Sequence, residues 1–387
     1  MNISNRVKYY LKNKIQERRR TALEFVLQDY LEGTISNIKP TKFDSILFLL
    51  PPVDEHSGGE TSVIRLGTFL AQNGKTVYYS NYLNQDLGDM KKNMERALSG
   101  YKGQVITYQD ALTKEFDFVV ATFWKSVYKS IKIKGYKVYF VQDFEPYFYS
   151  LGEEYLMAMN TYNIGYKIIS LGTWNKRQII KNTPKINADD ISVIEFPYQP
   201  GEFPFIQRDF NAYPNKKTIT MAVYIKEDPK RVPLLLDWLL RGLNRRFEDK
   251  GIQLKVSYFG IDPNYNLKGG KNLGKLNRNQ MSNLYSKSDF GMVASMTNIS
   301  LVPLEMMSNG LPLIEFREGS FPDFFDEKCA ILTDFNIDTL EENLINAINN
   351  PKMISEMVSS ATNDIYELSW EKSAQEFMDI LNGLVIN

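Results

Sequence analysis

The most specific pattern in the chain places a carboxylate on a short helix, then a turn, then a strand. Glu305 lies on a predicted helix (Leu304–Asn309), Asn309-Gly310 ends that helix, and the strand Leu313–Phe316 follows. A carboxylate in this place can accept a charge-assisted hydrogen bond from a ribose hydroxyl. The backbone amides of the turn before the helix, near Ser300, can bind a phosphate.

Two cations lie five residues apart around the predicted start of another helix. Lys226 and Arg231 follow the predicted strand Thr218–Ile225 and precede the predicted helix Val232–Glu248. Positive side chains beside a helix N-terminus suit a diphosphate, because the helix dipole and the cations act on the same anion. The alternative is a charged loop that is solvated and binds nothing.

Paired glycines follow the first predicted strand of the chain. Gly58 and Gly59 stand between Asp54 and the predicted helix Thr61–Gln72, with His56 on the same loop. Glycines at a strand-to-helix turn let backbone amides approach a ligand closely, although the third glycine of a dinucleotide fingerprint is missing. The turn predicts either a ligand contact or a purely structural bend, and His56 is a candidate catalytic residue.

Two carboxylates follow the predicted strand Lys137–Gln142. Asp143 and Glu145 flank Phe144, and Pro146 ends the motif. At the end of a parallel strand, such groups can accept hydrogen bonds from sugar hydroxyls or act as a base. They can also form a metal-binding pair or a helix cap, so three interpretations stay open.

Short apolar strands alternate with helix-length segments through both halves of the chain. This alternation predicts parallel sheets covered by helices on both faces, which is an α/β architecture with two Rossmann-like domains. Ligands of such sheets bind at the carboxyl ends of the strands, so a cleft between the two sheets is expected. The predicted strands are Ser45–Leu50, Thr76–Tyr79, Phe116–Ala121, Lys137–Gln142, Lys167–Leu171 and Ser192–Phe196 in the first half, and Thr218–Ile225, Lys255–Phe259, Phe290–Ala294, Leu313–Phe316 and Ala330–Thr333 in the second.

A stretch rich in Pro, Gly and Asn, residues 198–216, separates the halves and predicts an interdomain linker. The expected organisation is a helical extension at 1–40, a first domain at 41–205, a second domain at 206–368 and a helix at 369–387 that packs back onto the first domain.

Composition narrows the function. Lysine plus arginine equals aspartate plus glutamate at 46 each, whereas a nucleic-acid binder should carry a basic excess, so nucleic acid is excluded as a partner. One cysteine permits no disulfide within the chain, and one histidine excludes mechanisms that need two imidazoles. Without an apolar run of the ~18 residues that a membrane span needs, a cytoplasmic protein is expected.

The first 20 residues predict a basic amphipathic helix. Val7, Leu11 and Ile15 fall four apart, and Arg18-Arg19-Arg20 add positive charge. This pattern favours either peripheral contact with the inner face of the cytoplasmic membrane or a solvated helix packed on its own domain or on a partner subunit. A homodimer is therefore a candidate assembly.

The Glu305 segment resembles a known family. Pro303-Leu-Glu-Met-Met-Ser-Asn-Gly-Leu-Pro312 is similar to the Leu-Glu-Ala-Met-Ala-x-Gly-x-Pro stretch of the family-four retaining glycosyltransferases, which have the GT-B fold. More narrowly, several segments over residues 45–375 look like the bacterial rhamnosyltransferases of surface-layer glycan assembly. These segments are Tyr139–Tyr149, Glu153–Tyr155, Asn160–Tyr162, His56–Gly59 and Tyr224 with Lys226 and Arg231.

The resemblance implies a metal-independent enzyme without a cofactor. It would transfer L-rhamnose, with retention, from dTDP-β-L-rhamnose to a lipid-linked or polysaccharide acceptor on a growing surface glycan. Asp143, Glu145 and His56 are the implied catalytic group. The implied donor site consists of Gly58 and Gly59 at the phosphate, Lys226 and Arg231 at the diphosphate beside Tyr224, Gly274-Lys275-Leu276 at the base, and Asn298, Ser300, Leu301 and Glu305 at the turn and helix that hold phosphate and ribose.

Two positions depart from the family pattern. Thr297 stands where the family usually has a second glutamate, eight residues before Glu305, and Gln142 or Asp143 replaces a first-domain histidine. Three alternatives follow: a GT-B transferase with another nucleotide-sugar donor, a nucleotide-sugar epimerase, or a partner subunit without activity.

Overall fold

The computed structural model describes residues 3–30, 33–54 and 58–386, and these fold into two compact units. The first unit contains Met1–Leu171, Asn175–Ile194 and Ala374–Asn387. The second contains Gly172–Trp174 and Glu195–Ser373.

The first unit is a seven-stranded parallel sheet with helices between its strands. Its strands run in the order β3-β2-β1-β4-β5-β6-β7, so the order reverses between β1 and β4. The elements are α1 (Ile3–Leu27), β1 (Ser45–Leu50), α2 (Gly58–Gln72), β2 (Thr76–Asn81), α3 (Leu87–Ala97), β3 (Gln104–Val105), α4 (Tyr108–Thr113), β4 (Glu115–Ala121), α5 (Trp124–Ser130), β5 (Lys134–Val141), α6 (Glu153–Thr161), β6 (Lys167–Leu171), α7 (Thr173–Asn182) and β7 (Ile191–Ile194).

The second unit repeats this architecture with six parallel strands in the order β10-β9-β8-β11-β12-β13. Its order reverses between β8 and β11. The elements are β8 (Thr218–Tyr224), α8 (Pro233–Asp249), β9 (Gln253–Phe259), β10 (Lys271–Asn272), α9 (Arg278–Ser286), β11 (Phe290–Met292), α10 (Leu301–Ser308), β12 (Leu313–Phe316), β13 (Ile331–Thr333), α11 (Ile337–Asn349), α12 (Pro351–Tyr366) and α13 (Trp370–Asn382).

The predicted α/β class is confirmed, and the physical reason is visible in the central strands. β1 is buried from Ile46 to Leu50 and β12 throughout, because helices cover both faces of a parallel sheet and leave no solvated side for polar alternation. The sequence analysis missed only the strands that are two residues long, β3 and β10, which are too short to carry a hydrophobic period.

One helix differs from its prediction in a way that matters for the site. α10 begins at Leu301, three residues before the predicted start at Leu304. Pro303 is tolerated because it lies in the first turn, where an N–H has no partner within the helix. The helix is therefore preceded directly by Ser300.

The two ends of the chain both pack on the first unit. The Phe377 ring of α13 lies 6.2 Å from the ring of Phe48 and 5.5 Å from that of Phe140, between centroids. In α1, Leu23 and Val26 are buried, and the following Asp29 pairs with Lys129 at 2.6 Å.

The segment predicted as a linker, residues 198–216, packs closely with the second unit. Tyr198, Phe203 and Tyr213 are buried in it, and Phe210–Asn215 form a 3₁₀ helix. Aromatic side chains at irregular spacing thus contribute to the core without producing a period.

Candidate nucleotide-sugar site

In the second unit, the predicted donor residues follow the two strands between which the strand order reverses. β8 leads into Lys226 and Arg231, and β11 leads into Asn298 and Ser300. At such a reversal the two chains leave the sheet toward opposite faces, which opens a crevice at the carboxyl edge where ligands of parallel sheets bind. The topology of this unit therefore brings together segments that are about 70 residues apart in the sequence.

Arg231 joins these two segments directly. Its side chain is 6 % exposed, and its Nη1 donates a hydrogen bond of 3.1 Å to the carbonyl oxygen of Ala294, just beyond β11. Its guanidinium carbon lies 5.8 Å from the ring centroid of Tyr224, the last residue of β8. Nε of Arg231 has no hydrogen-bond partner within the described part of the chain, whereas Lys226 is exposed.

The backbone next to Arg231 is held in an unusual conformation. Val232 has φ +42° and ψ +48°, in the left-handed region that a β-branched residue rarely adopts. This residue connects the 3₁₀ turn Pro229–Arg231 to Pro233, the first residue of α8. Strain of this kind costs on the order of 1–3 kcal/mol and often marks a functional segment, so the path of the chain around Arg231 is consistent with a binding role.

The loop predicted to contact the base follows β9 and β10. Gly274 has φ +74°, and its N–H donates to the Asn272 side chain at 3.0 Å. Gly260 accepts no side chain either, because a Cβ there would lie 2.6 Å from the Tyr224 ring. Lys275 is exposed and Leu276 packs partly on the core, so the loop has both a fixed backbone and an available cation.

The N-terminus of α10 provides free amides at the same edge. Ser300 occupies the N-cap position, but its hydroxyl makes no cap hydrogen bond, and Oγ is buried without a partner in the described region. The first amides of the helix, including that of Leu301, have no partner within it. Asn298 is buried in the preceding turn, next to Thr297.

Glu305 lies on the second turn of α10 and meets the hydroxyl of Tyr285. The distance from that hydroxyl to Oε2 is 3.3 Å, and Tyr285 belongs to α9. Burial raises the pKa of the Glu305 carboxyl to about 7, although the hydrogen bond from Tyr285 lowers it. A carboxyl whose charge is costly to bury favours a ligand that donates to it, as a ribose hydroxyl does.

Sequence reasoning missed a second buried carboxylate in this region, Glu315. It lies on β12, is fully buried, and accepts hydrogen bonds from both the hydroxyl and the backbone N–H of Ser295, at 2.6 and 3.1 Å. Burial raises its pKa to about 7, while the Ser295 hydrogen bonds and the positive charge of Arg231 lower it. A charged residue inside the apolar run Leu313–Phe316 was the available signal, because such a residue needs a partner.

In the first unit, Gly58 and Gly59 form the start of α2, after the loop that follows β1. A Cβ at Gly58 would meet nothing within 4 Å, and one at Gly59 would contact only the Gln142 side chain, at 3.5 Å. Packing therefore does not require either glycine, and the open space would admit a ligand to the backbone. His56 lies outside the described residues.

The two carboxylates after β5 occupy different environments. Asp143 is partly exposed and accepts a hydrogen bond from the backbone N–H of Phe144 at 2.8 Å. Glu145 is buried, and its Oε2 accepts one of 2.5 Å from the backbone N–H of Trp124, the first residue of α5. Glu145 thus stabilises the N-terminus of a helix, as the cap interpretation predicted, while its catalytic role stays a prediction.

Two searches of the described residues bear on metals and membranes. No three His, Cys, Asp or Glu side chains among them come close enough together to hold a metal ion. None of the described helices combines the length and the apolar character that crossing a bilayer requires.

Comparisons with known proteins identify the fold. The chain has the GT-B fold: it superimposes on Anabaena HepE in complex with UDP-glucose with a TM-score of 0.68 over 88 % of this chain and 99 % of that one, at 16 % identity. A glycosyltransferase from Rickettsia africae gives a TM-score of 0.65 over 89 % and 100 % of the two chains, at 13 % identity.

In sequence, the O-antigen biosynthesis protein RfbC of Myxococcus xanthus is 23 % identical over 275 residues, which is 69 % of this chain. The chain spans 21 % of the length of that relative. No protein-family model matches the chain.

Proposed function

We propose that this protein is a glycosyltransferase that takes a sugar from a nucleotide-diphosphate donor during the assembly of a glycan. The observation that carries the proposal is the edge of the second sheet at its strand-order reversal. A buried arginine, the free N-terminus of α10 and a carboxylate with a raised pKa gather there in one unit. Their chemistry is complementary to a diphosphate attached to a ribose.

In the reaction, the bond between the anomeric carbon and the diphosphate oxygen breaks, and the nucleoside diphosphate leaves with the electron pair. The oxygen of an acceptor hydroxyl forms the new bond to that carbon and loses its proton. Negative charge therefore grows on the diphosphate, where Arg231 and the amides before α10 stabilise it. Lys226, which is exposed, adds a second cation when the donor is bound.

We further propose that the sugar is L-rhamnose, that dTDP-β-L-rhamnose is the donor, and that transfer proceeds with retention onto a growing bacterial surface glycan. Support comes from the similarity of Tyr139–Tyr149 and of the Tyr224–Arg231 segment to surface-layer rhamnosyltransferases. The sequence relative named for O-antigen biosynthesis points to the same class of product.

The residues after the first sheet are assigned to the acceptor and the reacting sugar. Asp143 is partly exposed and can orient a hydroxyl or accept its proton. Gly58 and Gly59 leave backbone amides open to the donor phosphate. His56 is proposed to act beside them, and Glu145 to act through the position of α5 rather than by contact with the sugar.

A second candidate donor is a UDP-hexose. The observation in its favour is that HepE, which shares the fold, binds UDP-glucose. The Gly274–Leu276 loop and Glu305 would determine this choice, because they are the residues assigned to the base and the ribose.

The test is a transfer assay with dTDP-β-L-rhamnose and UDP-glucose in parallel, each with a rhamnoside acceptor, with and without EDTA. We expect a product one deoxyhexose heavier by mass spectrometry from the first donor only, undiminished by EDTA, and with the donor's anomeric configuration by NMR. Product from UDP-glucose alone would replace the donor assignment. A change of the donor sugar without transfer would indicate an epimerase.

We also propose that the exposed part of α1 contacts an anionic membrane surface where a lipid-linked acceptor resides. Tyr9, Tyr10 and Ile15 are each more than 60 % exposed, whereas the end of the helix is fixed to the first unit through Leu23 and Val26. Aromatic and aliphatic side chains next to the arginines at 18–20 suit the interface of such a membrane.

A further inference from the structure

Glu315 is the least expected residue near the candidate donor site, because it buries a carboxylate in the middle of a core strand. Its side chain has no exposed surface, and no ligand placed at the edge of the sheet is needed to explain its hydrogen bonds. A buried carboxylate is unfavourable unless its charge and its lone pairs are compensated. The question is therefore what this sequence position gains from it.

The compensation comes from a single neighbouring residue, Ser295. Its hydroxyl and its N–H donate to the two different oxygens of Glu315, at 2.6 and 3.1 Å. Its carbonyl oxygen accepts from the N–H and the hydroxyl of Ser320, at 2.7 and 3.2 Å. Gly319 fits against the same carbonyl so tightly that a Cβ would come within 2.4 Å of it. Ser295 is thus fixed on both sides.

The residue before Ser295 is Ala294, whose carbonyl oxygen accepts the hydrogen bond from Arg231. Two links therefore connect Glu315 to Arg231: the short backbone path through Ala294 and Ser295, and the Coulomb attraction between the two side chains. No part of this path lies at the surface, since Arg231, Ala294 and Ser295 are all buried.

We infer that Glu315 is a positioning residue for Arg231: it fixes Ala294 and Ser295 so that the guanidinium lies where the donor diphosphate binds, without touching the ligand itself. This inference rests on the proposed function of Arg231. Burial keeps the pKa of Glu315 high and Arg231 lowers it, which agrees with a carboxylate whose charge is retained for the sake of the arginine.

The test is a double-mutant cycle on nucleotide affinity, measured by calorimetry with dTDP and with thymidine. Glu315→Ala should weaken dTDP binding by about tenfold, within the range of coupling found between residues of one hydrogen-bond network. Thymidine, which lacks the phosphates, should bind with unchanged affinity. In an Arg231→Ala background, Glu315→Ala should have no further effect on dTDP, because the residue through which it acts is gone.

Two more variants separate positioning from a general loss of structure. Glu315→Gln keeps the shape and an acceptor for Ser295, so it should restore most of the dTDP affinity. Asp289→Asn is the matched control: Asp289 is also buried and also accepts from a backbone N–H and a hydroxyl, both of Thr220, but it precedes β11 at the opposite edge of the sheet. It should leave dTDP affinity unchanged. If Glu315→Ala does not fold, Ser295→Ala removes the 2.6 Å bond at the cost of one atom and takes its place in the cycle.

The outcomes distinguish this inference from the function on which it rests. If Arg231→Ala weakens dTDP binding but Glu315→Ala and Ser295→Ala do not, the diphosphate assignment stands and the positioning role is refuted. If the effects of Arg231→Ala and Glu315→Ala are additive, Glu315 acts by another route and the inference also fails. If the unaltered protein binds neither dTDP nor UDP, the proposed function itself falls.

Discussion

The assignment of Glu305 to the ribose makes a pH-dependent prediction that the structure allows us to work through. Burial raises the pKa of this carboxyl to about 7, so its ionised fraction is about one tenth at pH 6 and about nine tenths at pH 8. The ionised form accepts the stronger, charge-assisted hydrogen bond. If only that form binds well, apparent affinity scales with its population, and nucleoside affinity should rise about ninefold between pH 6 and pH 8.

The assay is calorimetric titration with thymidine, whose deoxyribose 3′-hydroxyl is the group that Glu305 would hold. Thymidine has no phosphate that titrates in this interval and none that could reach Arg231. Glu305→Gln keeps the shape of the side chain but removes the ionisation, so its affinity should be weaker at pH 8 and nearly flat across the interval. Glu315→Gln is the matched control, because Glu315 has a similarly raised pKa but should not meet the nucleoside.

Kinetics provide the second half of this test. In Glu305→Gln, the KM for the donor should rise more than kcat falls, since the lost bond is present in the ground state and the transition state alike. A wild-type affinity for thymidine that does not change with pH would refute the ribose assignment. So would a loss confined to kcat, which would mean that Glu305 acts on the transition state.

Three further predictions concern other parts of the molecule. Arg231→Ala should weaken dTDP binding by roughly 1.5–3 kcal/mol, the range for a hydrogen bond to a charged group, and unchanged calorimetric affinity in both this variant and Lys226→Ala would contradict the diphosphate site. Because the pKa of Glu315 is raised from 4.5 to about 7 by folding, the folded state holds its proton more tightly, so its contribution to stability is present below pH 4.5 and is lost as the pH rises to about 7. Urea unfolding at pH 5 and pH 8 should therefore show a loss of up to about 3 kcal/mol that is absent in Glu315→Gln, and equal losses in both proteins would count against the shift. Deleting residues 1–20 should abolish sedimentation with phosphatidylglycerol vesicles but preserve transfer to a soluble acceptor; binding that persists in the shortened protein would show that α1 is not the contact.

The sequence by itself determined the α/β architecture and most of its central strands. β1, β6 and β12 begin and end at the predicted residues, because a strand buried on both faces must be a continuous apolar run and therefore leaves a local signal. The strand after which each candidate group lies could be predicted for the same reason. Asp143 follows β5 and Arg231 follows β8 in the structure as in the prediction.

Only the tertiary structure decided what those groups contact. The bonds from Trp124 to Glu145, from Tyr285 to Glu305 and from Ser295 to Glu315 each join residues about 20 positions apart. Such contacts are created when a strand, its crossover helix and the next parallel strand come together, and no pattern within one element records them. For this reason the sequence could mark Glu145 and Glu305 as carboxylates at the ends of strands or on a helix, but it could not tell that one caps α5 while the other meets a tyrosine. It could not reveal Glu315 as the counter-charge beside Arg231, because that depends on which strands are neighbours in the sheet.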